Sequence, residues 1–225
     1  MFFFPFNVDV PMQRVPIANW VLIGLTTLLS MVILMEEPEL LVDSLPLWRG
    51  EYFSVVQLVG YVFVHGGLMH LLGNMAFLFC FGNAVNAKFG HATFLAFYFA
   101  VAILTGIAWL VLGSGPALVG ASGAIMGVVG AFLILYPRND VSVFYFVFLF
   151  FFIRVGTFQM ASGVLIAIYV AFDLWGLIVS QESAVAYVAH VAGALAGMAV
   201  AVVLLKTRLI ESTRYEQNLL EILKL

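Results

Sequence analysis

Ser122 lies in the run Val119-Gly120-Ala121-Ser122-Gly123-Ala124-Ile125-Met126-Gly127, where a loop gives way to an apolar helix. A serine hydroxyl is a weak nucleophile until a neighbouring base takes its proton, and histidine is the usual base. His190, on a later apolar stretch, can play that part. Acyl transfer at serine also needs N–H donors aimed at the developing oxyanion. His70 and Asn74, spaced i, i+4, share one helix face and both can donate. The backbone at Ala121 and Ser122 adds to them, because the first amides of a helix lack intrahelical acceptors. A nucleophile, a base and clustered donors are the working parts of a serine hydrolase.

These groups must be positioned by apolar elements. Of 225 residues, 64% are hydrophobic and 9% charged, and the net charge is -3; mean hydropathy is +1.12. A soluble domain carries about 25% charged residues, so the composition excludes a soluble surface and implies an integral membrane protein. No nucleic-acid partner is expected. The single cysteine, Cys80, excludes an internal disulfide and a multi-cysteine metal site. The first residues are Phe-rich, lack an early basic cluster and carry Pro5, Pro11 and Pro16. We therefore expect no cleavable leader, and the first span should serve as the insertion signal.

A bilayer core about 30 Å thick needs about 20 apolar residues per helix. The pattern predicts an all-α membrane protein with six transmembrane helices, at about 17–35, 68–87, 93–112, 122–136, 160–179 and 184–205. Residues 36–68 form a long membrane-associated first loop. Val141–Ile153 is apolar but short, which suits an interfacial or re-entrant segment. The chain reads as a single domain over 1–225, with 206–225 a short amphipathic cytoplasmic tail.

Six spans place both termini on one side. All nine lysines and arginines except Arg49 fall on that side, which the positive-inside rule makes cytoplasmic. Ser122 and His190 then lie toward the outer face. The fourth span is only roughly 22 Å long, so Ser122 starts its helix below the surface. His190 lies roughly 9 Å into its own span on a straight helix, at a matching depth. Asp173 lies about as far from the end of span five, joined to span six by Ser180-Gln181-Glu182-Ser183. It could orient or electrostatically support His190. The plainer reading is that it faces an aqueous cavity or bonds a neighbouring helix.

Gly123 and Gly127, with Gly130, form a small-residue stripe on span four; Gly193 and Gly197 form another on span six. Such stripes let membrane helices approach closely, which would bring Ser122 to His190. Each feature also has a plainer explanation. Serine among glycines is often a packing residue, and His70 with Asn74 could be an interhelical hydrogen-bonding pair. His65 and His70 lack a third ligand, so no metal is expected. His91 reads as solvated at a basic turn, Cys80 as a small lipid- or core-facing residue, and Trp109 and Trp175 as interface or packing aromatics.

Taken in order, Trp48-Arg49, His65-Gly-Gly-Leu-Met-His70-Leu-Leu-Gly-Asn74-Met75, Gly120-Ala-Ser122-Gly and His190-Val-Ala-Gly193-Ala-Leu-Ala-Gly197 resemble the rhomboid intramembrane serine proteases over about residues 45–200. The resemblance implies a Ser122–His190 dyad and an oxyanion hole from His70, Asn74 and the Ser122 backbone. It further implies six helices around a water-accessible cavity, with no cofactor. The Trp48-Arg49 loop would be the family's membrane-embedded first loop, and span five its lateral substrate gate. The partners implied are single-span or other transmembrane protein substrates and the lipid bilayer. The resemblance is to the compact bacterial form, which implies the inner membrane as location with the active site toward the outer side. Asn86 stands where many relatives have glutamate, which bears on a structural hydrogen bond rather than on the chemistry.

Two other functions are compatible with parts of the pattern. A non-enzymatic relative that binds transmembrane helices would be expected to have lost the serine or the histidine. A transporter or channel would be expected to show broken helices in repeated halves, and no such repeat is visible.

Overall fold

Backbone groups in hydrocarbon must be satisfied within the chain, so long apolar runs become helices. The computed structural model describes residues 2–149, 152–179, 187–213 and 216–224. Helix α1 (Ile17–Glu36) is followed by two short helices, α2 (Glu39–Ser44) and α3 (Gln57–Gly60), inside the first long connection. Helix α4 (Leu68–Phe77) runs through a π-helical turn at Leu78–Gly82 into α5 (Asn83–Phe89), and α6 (His91–Leu112) follows. The chain continues with α7 (Ser122–Leu135), α8 (Ser162–Val179), α9 (Tyr187–Lys206) and the short α10 (Leu219–Leu223). Among the described residues four stretches are long and apolar enough to cross a membrane: Ile17–Glu36, Leu68–Phe89, His91–Leu112 and Tyr187–Lys206. Ser122–Leu135 and Ser162–Gly176 are apolar but shorter.

The burial pattern suits a lipid solvent. On α1 the polar Asn19, Thr26 and Ser30 are fully buried, while Trp20, Val21, Leu25 and Leu28 point outward. Lipid is as apolar as leucine, so outward hydrophobes cost nothing there and close helix contact falls to small and polar residues. Asn19 shows how. Its side-chain amide donates to the Leu78 carbonyl and to Asn83 Oδ1, both at 2.9 Å, beside the π-helical turn. Its backbone N–H donates to Asn86 Oδ1 at 3.2 Å, so the asparagine at that position does make a structural hydrogen bond. Asn86 Nδ2 also contacts His91 Nδ1 at 3.3 Å, so His91 is bonded as well as exposed. Cys80 is core-facing.

Helix α7 lies at the centre, with nearly all its side chains buried. The closest partner is α9. A Cβ on Gly197 would lie 1.8 Å from the Gly127 carbonyl oxygen, and one on Gly193 would lie 2.1 Å from that of Gly123. The two glycine runs therefore face each other, with backbone against backbone.

The all-α expectation is corrected by a three-stranded sheet. Strand β1 (Phe2–Val8) pairs antiparallel with β4 (Asp140–Leu149), which pairs with β5 (Phe152–Ala161). A second, two-stranded sheet joins β2 (Leu47–Trp48) to β3 (Ala117–Leu118). Within the Val141–Ile153 run, residues 141–149 are thus strand and residues 152–153 begin the antiparallel strand that pairs with it. Its valine, phenylalanine and tyrosine content suits a pleated surface. Pro5, which lacks an N–H, stands on the edge strand β1 at an irregularity in the register. Because β5 takes Met160 and Ala161, the fifth apolar helix begins at Ser162, not at residue 160. The expected start of span six at Ala184 lies outside the described residues. Among its described residues the tail beyond α9 has one helix, Leu219–Leu223, closed at its start by a capping box between Asn218 and Glu221.

Candidate active site

The turn before α7 is held from below. Gly120 has φ +106°, a region that favours glycine. It also has no room for a side chain, since a Cβ there would lie 2.7 Å from His70 Cε1 and 2.8 Å from His70 Nε2. Its N–H donates to the Tyr61 carbonyl at 3.0 Å. Tyr61 is anchored in turn: its hydroxyl donates to the Ala102 carbonyl at 2.8 Å and lies 2.6 Å from Thr105 Oγ1. Gly123 rests on Thr105, a Cβ there lying 3.2 Å from Thr105 Cβ. Tyr61 and Thr105 thus support the serine turn, though neither stands out in the sequence. The only local signal is a hydroxyl within an apolar run, which is common.

Ala121 caps α7 and Ser122 is its first residue. The close α7–α9 packing carries His190 to the serine, with His190 Nε2 2.8 Å from Ser122 Oγ. The other ring nitrogen, Nδ1, lies 3.0 Å from Asp173 Oδ1 on α8. Both side chains of that contact are 13% exposed. The Tyr187 ring meets the His190 ring edge to face, with centroids 6.5 Å apart.

Helix α4 brings the two candidate donors. His70 sets its ring edge against Gly120, as the blocked Cβ position shows. Asn74 is buried, and its Nδ2 has no hydrogen-bond partner among the described residues. A buried amide donor left unpaired costs about 1–3 kcal/mol. Such a group stands ready for an acceptor that arrives from outside. His65, just before α4, is bonded through Nδ1 to Ser30 Oγ at 2.8 Å. Burial, and secondly the charge of His70, push His65 down to about 3, so it stays neutral beside the donor.

Ser122, His190, Asp173, His70 and Asn74 all line one open cavity of about 700 Å³, lined elsewhere by apolar residues such as Phe77 and Phe172. This set of groups is compatible with a nucleophile, a base and donors meeting a bound carbonyl. The first connection is tied to the end of α6. Arg49 donates to the carbonyls of Trp109 and Gly113 and stacks over the Trp109 ring at 4.4 Å. Trp109 is therefore a buried packing residue, whereas Trp175 is exposed.

A family model for the rhomboid domain matches residues 52–207. Rhomboid protein 1, mitochondrial, of Saccharomyces cerevisiae is 33% identical over 100 residues, covering 41% of this chain and 29% of that protein. Rhomboid protease GluP of Bacillus subtilis is 36% identical over 91 residues, covering 40% of this chain and 17% of the relative. Rhomboid protease GlpG of Haemophilus influenzae is 29% identical over 85 residues, 38% of this chain and 44% of its own. The matched stretches thus span less than half the length of each of these relatives. The domain match itself runs from the turn before α3 to just past α9, across every element that lines the cavity, and on that ground the chain belongs to the rhomboid family.

Proposed function

We propose that the chain is an intramembrane serine endopeptidase that hydrolyses peptide bonds in or near the transmembrane segments of other membrane proteins. The observation that carries this reading is the 2.8 Å contact between Ser122 Oγ and His190 Nε2 at the wall of a cavity. Ser122 Oγ attacks the scissile carbonyl carbon while His190 Nε2 takes the hydroxyl proton. The carbonyl oxygen becomes an oxyanion, met by His70, by Asn74 Nδ2 and by the backbone N–H groups at the start of α7. His190 then returns its proton to the leaving amine. Water enters the cavity, gives a proton to His190 and attacks the acyl-serine; the acyl C–Oγ bond breaks, His190 returns the proton to Ser122 Oγ, and the new carboxyl end is released.

In this reading six helices cross the bilayer, α7 and α8 being the short ones. The lysine and arginine bias sets both termini in the cytoplasm and the cavity toward the outer side of a bacterial inner membrane. Helix α8 is the side by which a substrate helix enters. The test is reconstitution into liposomes with a single-span substrate, with products read by mass spectrometry for wild type and His190→Ala. Cleavage by wild type and none by the variant is expected. Equal cleavage by both would overturn the assignment.

A further inference from the structure

We propose that Asp173 is a positioning residue for His190, so that Ser122, His190 and Asp173 act as a three-membered chain rather than a pair. The proposal rests on the serine–histidine reading above. A carboxylate can only accept, so at 3.0 Å the hydrogen of that contact sits on His190 Nδ1. Neutral imidazole carries one N–H, which leaves Nε2 bare. Nε2 faces Ser122 Oγ at 2.8 Å, so the hydroxyl must donate to it. One carboxylate thereby selects the tautomer in which the ring can take the serine proton. When the proton moves, Asp173 faces the resulting imidazolium and balances its charge.

Among the described residues, His190 is the one hydrogen-bond partner of the Asp173 side chain. Among them Asp173 pairs with no lysine or arginine. A carboxylate on an apolar helix is costly and needs a partner, and the partner here is the candidate base. Nor is Asp173 the sole contact between α8 and α9. That approach has its own contact one turn along, where a Cβ on Gly176 would lie 2.3 Å from Tyr187 Cζ. Because Asp173 stands on α8 and His190 on α9, the orientation of the base depends on α8 staying against α9.

The test compares wild type, Asp173→Asn and Asp173→Glu as full chains in detergent or liposomes. Three quantities are read: the rate at which a fluorophosphonate labels Ser122, the kcat and KM for a single-span substrate, and the ring ¹⁵N signature of His190. In labelling, Ser122 Oγ displaces fluoride from phosphorus and its proton passes to His190. In soluble triads the change from aspartate to asparagine keeps the geometry but costs about 10⁴-fold through the wrong tautomer. Asp173→Asn is expected to slow labelling and kcat at least about 100-fold. It should leave KM nearly unchanged and remove the Nδ1–H form of His190 as the dominant species. Asp173→Glu should recover part of the rate and the Nδ1–H form. Wild-type rates and an unchanged tautomer in Asp173→Asn would overturn the proposal. So would equal loss in both variants, or a change in KM alone, since each marks a merely structural tie. If wild type does not label at Ser122 the serine–histidine reading itself fails, while the ¹⁵N comparison still reports whether Asp173 sets the tautomer.

Discussion

Helix α7 has an ionisable cluster near each end, and the two are built oppositely. Beyond its Tyr136 end, Lys88 Nζ bonds Glu216 Oε2, with the two side chains 2% and 1% exposed. Glu216 also accepts from the Thr213 N–H at 2.8 Å, from Gln13 Nε2 at 3.3 Å and from the Tyr136 hydroxyl at 3.5 Å. Both oxygens of that carboxylate are used, and it is buried from water. At the Ser122 end the ring of His190 has one contact per nitrogen, Asn74 Nδ2 has none among the described residues, and all face a cavity. A saturated cluster can only hold parts together. An open one retains capacity for a ligand and a place to put it. The first ties the tail to the α5 end; the second is where chemistry can occur.

That contrast is broken most sharply at the saturated cluster. Lys88→Met leaves Glu216 as an uncompensated buried carboxylate, and removing one partner of a buried pair costs about 3–5 kcal/mol. We expect a large drop in thermal stability in detergent, with the labelling rate of the remaining folded protein unchanged. A stable Lys88→Met protein that had lost Ser122 reactivity would reverse the roles assigned to the two clusters.

Asn74→Ala should do the opposite. Loss of one oxyanion donor costs about 2.7–4 kcal/mol of transition-state stabilisation in a soluble serine protease, so kcat should fall by about 100- to 1,000-fold. Stability should hold or rise, because an unpaired buried donor is removed. A weaker KM with kcat intact would deny it the donor role.

The third change joins the two properties. Gly197→Ala places a methyl where only 1.8 Å separates it from the Gly127 carbonyl oxygen. Overpacking of a tight contact costs about 1–3 kcal/mol, and the separation of α7 from α9 should also stretch the Ser122–His190 contact. Stability and rate are expected to fall together. Tyr61→Phe, the mildest change, removes the hydroxyl bonds to Ala102 and Thr105 and is expected to cost about 1 kcal/mol, measurable as a lower Tm with a modestly slower rate.

Much of this is legible in the sequence because lipid makes the relevant signals crude. An apolar run such as His91–Leu112 needs only length to become a helix in a bilayer, and the glycine runs on α7 and α9 announce close contact by spacing alone. His190 and Asp173 stand out because ionisable groups on apolar helices are few, and Ser122 stands out only through its place between glycines at a loop-to-helix junction. The sheet is not legible. Val141–Ile153 has the length and composition of several things at once, and the strand that covers it, β1, comes from the far end of the chain. Lys88 reads as one more basic residue at a turn, yet it is buried, because its partner Glu216 lies in a tail whose pattern suggests only a surface helix. Tyr61 is hidden for the same reason. Its role depends on Gly120, Ala102 and Thr105, which stand far from it in the chain.

If Ser122 is the nucleophile of a peptide-bond hydrolase, its replacement in Ser122→Ala must stop cleavage of a reconstituted single-span substrate. Wild type is expected to cleave and the folded variant to fall to background, a loss on the order of 10⁶-fold where such a residue has been removed from a soluble protease. Cleavage by Ser122→Ala at a rate comparable to wild type would contradict that assignment.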